Sequence, residues 1–215
     1  MNATKDRRLD RRGVLLGLGV AALAPAAWAA GASSVVTVLG DSITAGLGLP
    51  ARDALPAQLQ AALERLGVRA LVRGAGVSGD TTGGGLARVD FSVASDTNVC
   101  VVALGGNDLL QGADPGLTKA NLRRIIEKLK ARRIRVVLAG VRAPTLIGAA
   151  YAREFTNLFP ALARETGAIL QPDFVTGVIG VPRLMQRDGL HPNAAGARIV
   201  AERLAPSVAA ALRVG

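Results

Sequence analysis

The stretch Val35-Val36-Thr37-Val38-Leu39-Gly40-Asp41-Ser42-Ile43 decides how the rest of this 215-residue chain is read. A run rich in β-branched residues and ended by glycine reads as a buried parallel strand. Ser42 then stands where the strand stops and the chain turns toward a helix. In open α/β sheets, ligands bind beyond the carboxyl ends of the strands, which is where a nucleophile belongs. Gly, Asp and Ser are also ordinary turn residues, so the tetrapeptide gains its meaning from what the rest of the chain sets beside it.

Around that stretch, strands and helices alternate. Leu55, Leu59, Ala62, Leu63 and Leu66 recur at helical spacing, with Gly67 as the stop. Val68 to Val72 reads as a second strand running into Gly74-Ala75-Gly76-Val77-Ser78-Gly79-Asp80-Thr81, and Gly84 to Val89 as a short helix. Val99 to Leu104 is a third strand, closed by Gly105-Gly106-Asn107-Asp108. Leu122, Ile125, Ile126 and Leu129 form the apolar stripe of a helix. Arg135 to Val141 is a fourth strand. Phe155, Leu158, Phe159 and Leu162 mark a helix kinked at Pro160 and ended by Gly167, and Ala168 to Leu170 is a fifth strand. After the loop Asp188-Gly189-Leu190-His191-Pro192-Asn193, a helix covers Ala194 to Leu204, with Pro206 breaking or kinking its extension. The alternation predicts an α/β fold with a parallel sheet of about five strands and helices on both faces.

The totals bound the function. With 50% hydrophobic and 20% charged residues, the chain suits one domain with a sizeable core and a short N-terminal appendage. Aromatics make up only 3%, so Ala, Val, Leu and Ile must build that core. The single cysteine, Cys100, excludes an internal disulfide and reads as a small buried hydrophobe within Val99 to Ala103. His191 is the only histidine, so imidazole chemistry must use it and a multi-histidine metal site is excluded. The formal charge of +10 is compatible with transient contact with an anionic membrane surface. The basic residues are scattered and few aromatics lie among them, so no nucleic-acid partner is expected. Arg123 to Arg135 reads as the solvated face of a helix, and Arg88 and Arg142 as surface charges.

Residues 1–30 read as an export signal. A basic start is followed by an uncharged stretch from Gly13 to Ala30, then Pro25 and the small-x-small site Ala27-Trp28-Ala29. Arg11-Arg12 before Gly13-Val14-Leu15 resembles a twin-arginine signal. The expectation is a periplasmic or secreted domain over residues 31–215.

Three loops that each follow a strand, Gly40 to Ile43, Gly76 to Thr81 and Gly105 to Asp108, emerge at one edge of a parallel sheet. The fourth places Asp188 and His191 three residues apart, close enough for the carboxylate to fold onto Nδ1 and present Nε2 to a serine. Acyl transfer then has its parts: Ser42 as nucleophile, His191 as base, Asp188 as acid partner. Candidate oxyanion donors are the Ser42 and Gly79 backbone N–H groups and the Asn107 side-chain amide. Asp41, Asp80 and Asp108 read as residues that shape their loops. Leu109 and Leu110 form a candidate wall of an acyl pocket, with Leu146 and Ile147 as further lining.

These four stretches resemble the blocks of the SGNH hydrolases, also called the GDSL lipase/esterase family. Gly40-Asp41-Ser42-Ile43 resembles the first block, Gly79 the second, Gly105-Gly106-Asn107-Asp108 the third and Asp188-Gly189-Leu190-His191-Pro192 the fifth. Ser78-Gly79-Asp80-Thr81 followed by Gly85-Leu86-Ala87-Arg88 is similar to the periplasmic thioesterase I/lysophospholipase/arylesterase subgroup. The similarity spans Val35 to Leu212, with Ile43 where the family name has Leu. The resemblance implies a flavodoxin-like three-layer α/β/α fold and a serine esterase or thioesterase that uses no cofactor and acts on small acyl esters or thioesters. It implies the same nucleophile, acid, base and oxyanion donors. Other branches of the family point to a carbohydrate O-acetylesterase, the same triad permits acyl transfer to an acceptor other than water, and a non-catalytic lipid-binding module is the rival from another class. Ser42 is not in a Gly-x-Ser-x-Gly elbow, so an α/β-hydrolase is not indicated.

Overall fold

The computed structural model describes residues 34–213. The export-signal reading of residues 1–30 lies outside them. Strand β1 (Ser34–Gly40) leads into a short helix α1 (Ser42–Ala45), then α2 (Leu55–Arg65), β2 (Ala70–Gly76), α3 (Thr82–Ser92) and β3 (Val99–Ala103). There follow α4 (Gly106–Leu110), α5 (Pro115–Ala131), β4 (Arg135–Ala139), α6 (Ala149–Thr166), β5 (Ile169–Gln171) and α7 (Ala194–Arg213). The strands form one parallel sheet in the order β2-β1-β3-β4-β5.

Both faces of the sheet are covered. Alternate side chains of a strand point to opposite faces, so Val36, Val38, Val99 and Val101 join one core with Leu55 and Leu59 of α2 and Val200 and Leu204 of α7. Leu39, Cys100 and Val102 join the other, with Val89 of α3, Leu122 and Ile125 of α5 and Phe155 and Phe159 of α6. The result is a three-layer α/β/α sandwich. Each fully buried Val, Leu, Ile or Phe contributes about 1.5–3 kcal/mol of hydrophobic stabilisation. Cys100 is fully buried, and burial pushes its thiol up to about 12, as befits a small core hydrophobe.

From β1 the chain moves outward to β2, then returns across β1 to β3. The order in which strands are added therefore reverses between β1 and β3, and the crevice outside their carboxyl ends opens at that switch point. Ser42 lies immediately beyond β1, and Asn107 immediately beyond β3.

Several boundaries differ from the expectations. The second strand is Ala70–Gly76 rather than Val68 to Val72. Glycine, normally weak in strands, is required here. A Cβ on Gly74 would lie 2.9 Å from Pro56 Cγ, and one on Gly76 would meet the backbone of α1. Helix α3 extends beyond Gly84 to Val89 in both directions, starting at a Thr81 cap whose side chain accepts from Gly84 N at 3.3 Å. Helix α7 continues through Pro206 to Arg213 instead of ending near Leu204, while α6 runs through Pro160 to Thr166, just before the expected stop at Gly167. In α7, Ala205, Val208, Ala209 and Ala211 are buried against the sheet layer, which offsets the hydrogen bond that proline omits.

Candidate active site

Asp41 prepares the turn that carries Ser42. Its Oδ1 accepts the Ile43 N–H at 3.0 Å and so caps α1, which lifts Ser42 to the end of β1. The last loop is held independently. Asp188 Oδ1 accepts the backbone N–H groups of Leu190 and His191 at 2.9 and 3.0 Å, across Gly189 at φ 67°. Gln186 Nε2 donates to Leu47 O at 2.7 Å and Pro192 O at 3.0 Å, tying this loop to the segment after α1. Asn193 caps α7 by accepting from Gly196 N at 3.1 Å and donates to Met185 O at 3.2 Å.

These local arrangements bring distant segments of the sequence together. His191 Nδ1 lies 2.6 Å from Asp188 Oδ2, and His191 Nε2 lies 2.9 Å from Ser42 Oγ, across 149 positions of sequence. The hydrogen bond from the His191 ring, joined by the backbone N–H groups of His191 and Leu190, holds the Asp188 carboxyl down at about 2. Asp188 is thus an anion facing Nδ1, the tautomer that leaves Nε2 free to accept from serine. His191 is well covered while Asp188 faces solvent, with side-chain exposures of 13% and 46%.

Ser42, Gly79, Asn107 and His191 line one cavity of about 410 Å³. Gly79 has φ +80°, a conformation that other L-residues rarely adopt. Asn107 Nδ2 donates to Asp80 O at 2.9 Å and faces Asp41 Oδ2 at a longer 3.4 Å. Leu109 and Leu110 line the cavity, whereas Leu146 and Ile147 do not. That pocket expectation is corrected by a 3₁₀ turn over Thr145–Ile147, which leaves Leu146 96% and Ile147 48% exposed while Pro144 reaches the wall. Beside Ile43, Leu47 and Leu190, further apolar lining comes from Val141, Phe174, Val175 and Ile179. Sequence reading missed these residues, although the loops after β4 and β5 open at the same sheet edge as the others.

The three neighbouring aspartates shape loops. Burial pushes the Asp41 carboxyl up to about 6 despite its bond from Ile43 N–H. Asp108 accepts from Thr82 N at 2.8 Å and Thr82 Oγ1 at 2.5 Å, pinning α3 to the loop after β3. Asp80 pairs with Arg88 at 2.7 Å. Arg88 is therefore not a surface charge: it is 9% exposed, because its guanidinium turns inward to Asp80 and to backbone carbonyls. Arg142, by contrast, is exposed at the cavity edge, with Asp173 at 3.5 Å.

Residues 38–199 match the GDSL-like Lipase/Acylhydrolase family. The chain belongs to that family. It is 37% identical over 178 residues to "Esterase TesA" of Pseudomonas aeruginosa, covering 82% of this chain and 89% of that protein. It is 35% identical over 177 residues to "Thioesterase 1/protease 1/lysophospholipase L1" of Escherichia coli, covering 82% and 84%. The crystal structure of AlinE4, an SGNH-hydrolase family esterase, superposes with a TM-score of 0.71 at 42% identity, covering 86% of this chain and 99% of that one. As a member of this family the chain is an ester-cleaving hydrolase.

Proposed function

We propose that this hydrolase cleaves acyl esters and thioesters of modest size through an acyl-serine intermediate, with Ser42, His191 and Asp188 as its triad. The observation that carries the reading is the unbroken relay from Asp188 Oδ2 through His191 to Ser42 Oγ, at 2.6 and 2.9 Å. Ser42 Oγ attacks the acyl carbon as His191 Nε2 takes its proton, and the Asp188 carboxylate stabilises the imidazolium. The acyl oxygen becomes an oxyanion received by the Ser42 and Gly79 N–H groups and by Asn107 Nδ2. Asn107 can serve because only one of its two amide hydrogens is committed at short range, to Asp80 O. The other faces Asp41 across 3.4 Å, a contact weak enough to exchange for a full negative charge. Collapse expels the alcohol or thiol with the proton from His191. Water, deprotonated by the same imidazole, then releases the acid and restores Ser42.

The acyl chain is proposed to lie along Leu109, Leu110, Phe174, Val175 and Ile179, which supply apolar surface to the cavity that Ser42 also lines. The thioesterase and lysophospholipase named among the relatives support thioesters and lipid esters within the substrate range. The test is turnover of p-nitrophenyl acetate, butyrate and decanoate, and of an acyl thioester, by the protein and by Ser42→Ala. Loss of all turnover in the variant is expected. Turnover that survives the substitution refutes the nucleophile assignment, and absence of turnover in both proteins refutes the substrate class.

Export with cleavage near Ala30 is proposed from the basic start, the uncharged stretch Gly13 to Ala30 and the site Ala27-Trp28-Ala29. Mass spectrometry of the periplasmic fraction should find a mature chain lacking this segment, and an intact Met1 end there overturns the proposal.

A further inference from the structure

Asp80 and Arg88 take no part in the reaction as proposed, yet the ion pair they form is among the least exposed charged pairs described, with side chains 9% and 11% exposed. The Arg88 guanidinium is divided among the ends of β1 and β2, the loop after β2 and Ser92 of its own helix. Its Nε donates to Asp80 Oδ2 at 2.7 Å, its Nη2 to Gly40 O at 2.8 Å, and its Nη1 to Ala75 O at 2.9 Å and Ser92 Oγ at 3.2 Å. Gly40 is the last residue of β1 and stands two before Ser42. Ala75 lies near the end of β2, just ahead of the loop that carries Gly79. Asp80 follows Gly79, and its carbonyl holds the Asn107 amide at 2.9 Å. Each oxyanion donor thus belongs to a segment that Arg88 touches directly or through one residue. Gly84 keeps the arrangement open, because a Cβ there would run into the Asp80 carboxylate.

We propose that Arg88 is a positioning residue for acyl transfer: through Gly40, Ala75 and Asp80 it sets the relative places of Ser42, Gly79 and Asn107, the three donors to the oxyanion. The inference rests on the oxyanion reading given above. The physical reason is that the donors come from three separate strand ends, which packing alone would have to register. Charge stabilisation in the transition state requires each donor within hydrogen-bond reach of one point, and a misplacement of about 1 Å costs on the order of 10²-fold in rate. A planar guanidinium with five N–H groups can bridge a carboxylate and several carbonyls at fixed angles, which an ammonium cannot.

Loss of stability alone is not diagnostic, since Asp80 would be left buried without its partner. The experiment is therefore a kinetic cycle on folded protein, checked by circular dichroism, with Arg88→Met, Asn107→Ala and the double variant assayed on p-nitrophenyl butyrate. Arg88→Met should lower kcat roughly 10²-fold with KM within about threefold of the parent. In the Asn107→Ala background the same substitution should cost less than in the parent, because one of the three donors that Arg88 places is already gone while Ser42 and Gly79 remain. Arg88→Lys, which can still pair with Asp80, should recover part of kcat. If Arg88→Met does not fold, Asp80→Asn takes its place, keeping the carbonyl that serves Asn107 while losing the ion pair. An unchanged kcat, or an equal loss in both backgrounds, overturns the proposal and shows a purely structural pair. An Asn107→Ala variant with parental kcat overturns the oxyanion reading itself, a pattern distinct from failure of Arg88 alone.

Discussion

Replacing Asp188 by asparagine separates the two jobs that its carboxylate performs. Oδ1 accepts the backbone N–H groups of Leu190 and His191 at 2.9 and 3.0 Å, and an amide oxygen can take over both, so the turn should persist. Oδ2 faces Nδ1 at 2.6 Å, and there the amide supplies a donor instead of an acceptor. Two donors cannot share that distance, so the imidazole changes tautomer, with Nδ1 accepting and Nε2 carrying the hydrogen toward Ser42. A ring in that state cannot take the serine proton. The full tautomer penalty in a buried relay is on the order of 10⁴-fold in kcat. Asp188 is 46% exposed at its side chain, so water competes for Nδ1 and softens the effect. The expected loss is therefore about 10³–10⁴-fold, with little change in Tm. Asp188→Ala, which admits water as an acceptor at Nδ1, should retain more activity than Asp188→Asn despite removing more atoms. Both are measured as kcat and KM on p-nitrophenyl butyrate beside thermal melts. An Asp188→Asn variant within tenfold of the parent, or an Asp188→Ala variant clearly worse than it, would refute the tautomer argument.

Asp41 provides a pH test of opposite sign to Asp188. Its carboxyl is pushed up to about 6 by burial, so the folded protein keeps a proton that the unfolded chain has released. Stability from that proton is full below about pH 4 and is lost as pH rises to about 6, amounting to roughly 3 kcal/mol at neutrality. The Asp188 contribution is instead lost as pH falls from about 4 to 2, which leaves the window above pH 4 to Asp41. Asp41→Asn should flatten the unfolding free energy between pH 4.5 and 7.5, and a slope equal to the parent's in denaturant titrations would count against the assignment. Gly76→Ala should lower Tm by about 5 °C, corresponding to overpacking of about 2 kcal/mol. Its Cβ would lie 2.8 Å from both Asp41 O and Thr44 C, backbone atoms that cannot turn aside. A melt within one degree of the parent would show that α1 can move away from β2 freely.

The parts of the site legible in the sequence were those written locally. Val35 to Leu39 and Val99 to Ala103 are apolar runs cut off by glycine, which located Ser42 and Asn107 at strand ends before any tertiary contact was known. Asp188 and His191 are close enough in sequence for their pairing to follow from a single turn. What stayed hidden depended on packing between distant segments. Arg88 looked like a surface charge because nothing local reveals that Gly40 and Ala75 turn their carbonyls toward it. Leu146 and Ile147 had the right chemistry for a pocket wall, but their turn directs them outward, while Phe174 and Ile179 arrive from a loop with no periodic signal. The displaced second strand has the same origin. Gly74 and Gly76 argue against a strand by propensity and are needed in one because Pro56 and α1 sit directly upon them.

The span of 149 residues between Ser42 and His191 has a consequence for how the molecule comes into being. Ser42 follows the first described strand of the sheet, while His191 lies in the loop just before the last described helix. A chain still being synthesised carries Ser42 before any imidazole exists, since this sequence holds no other histidine than His191. The contact between Ser42 and His191 requires the loop before α7 to be packed on the segment after α1, to which Gln186 ties it.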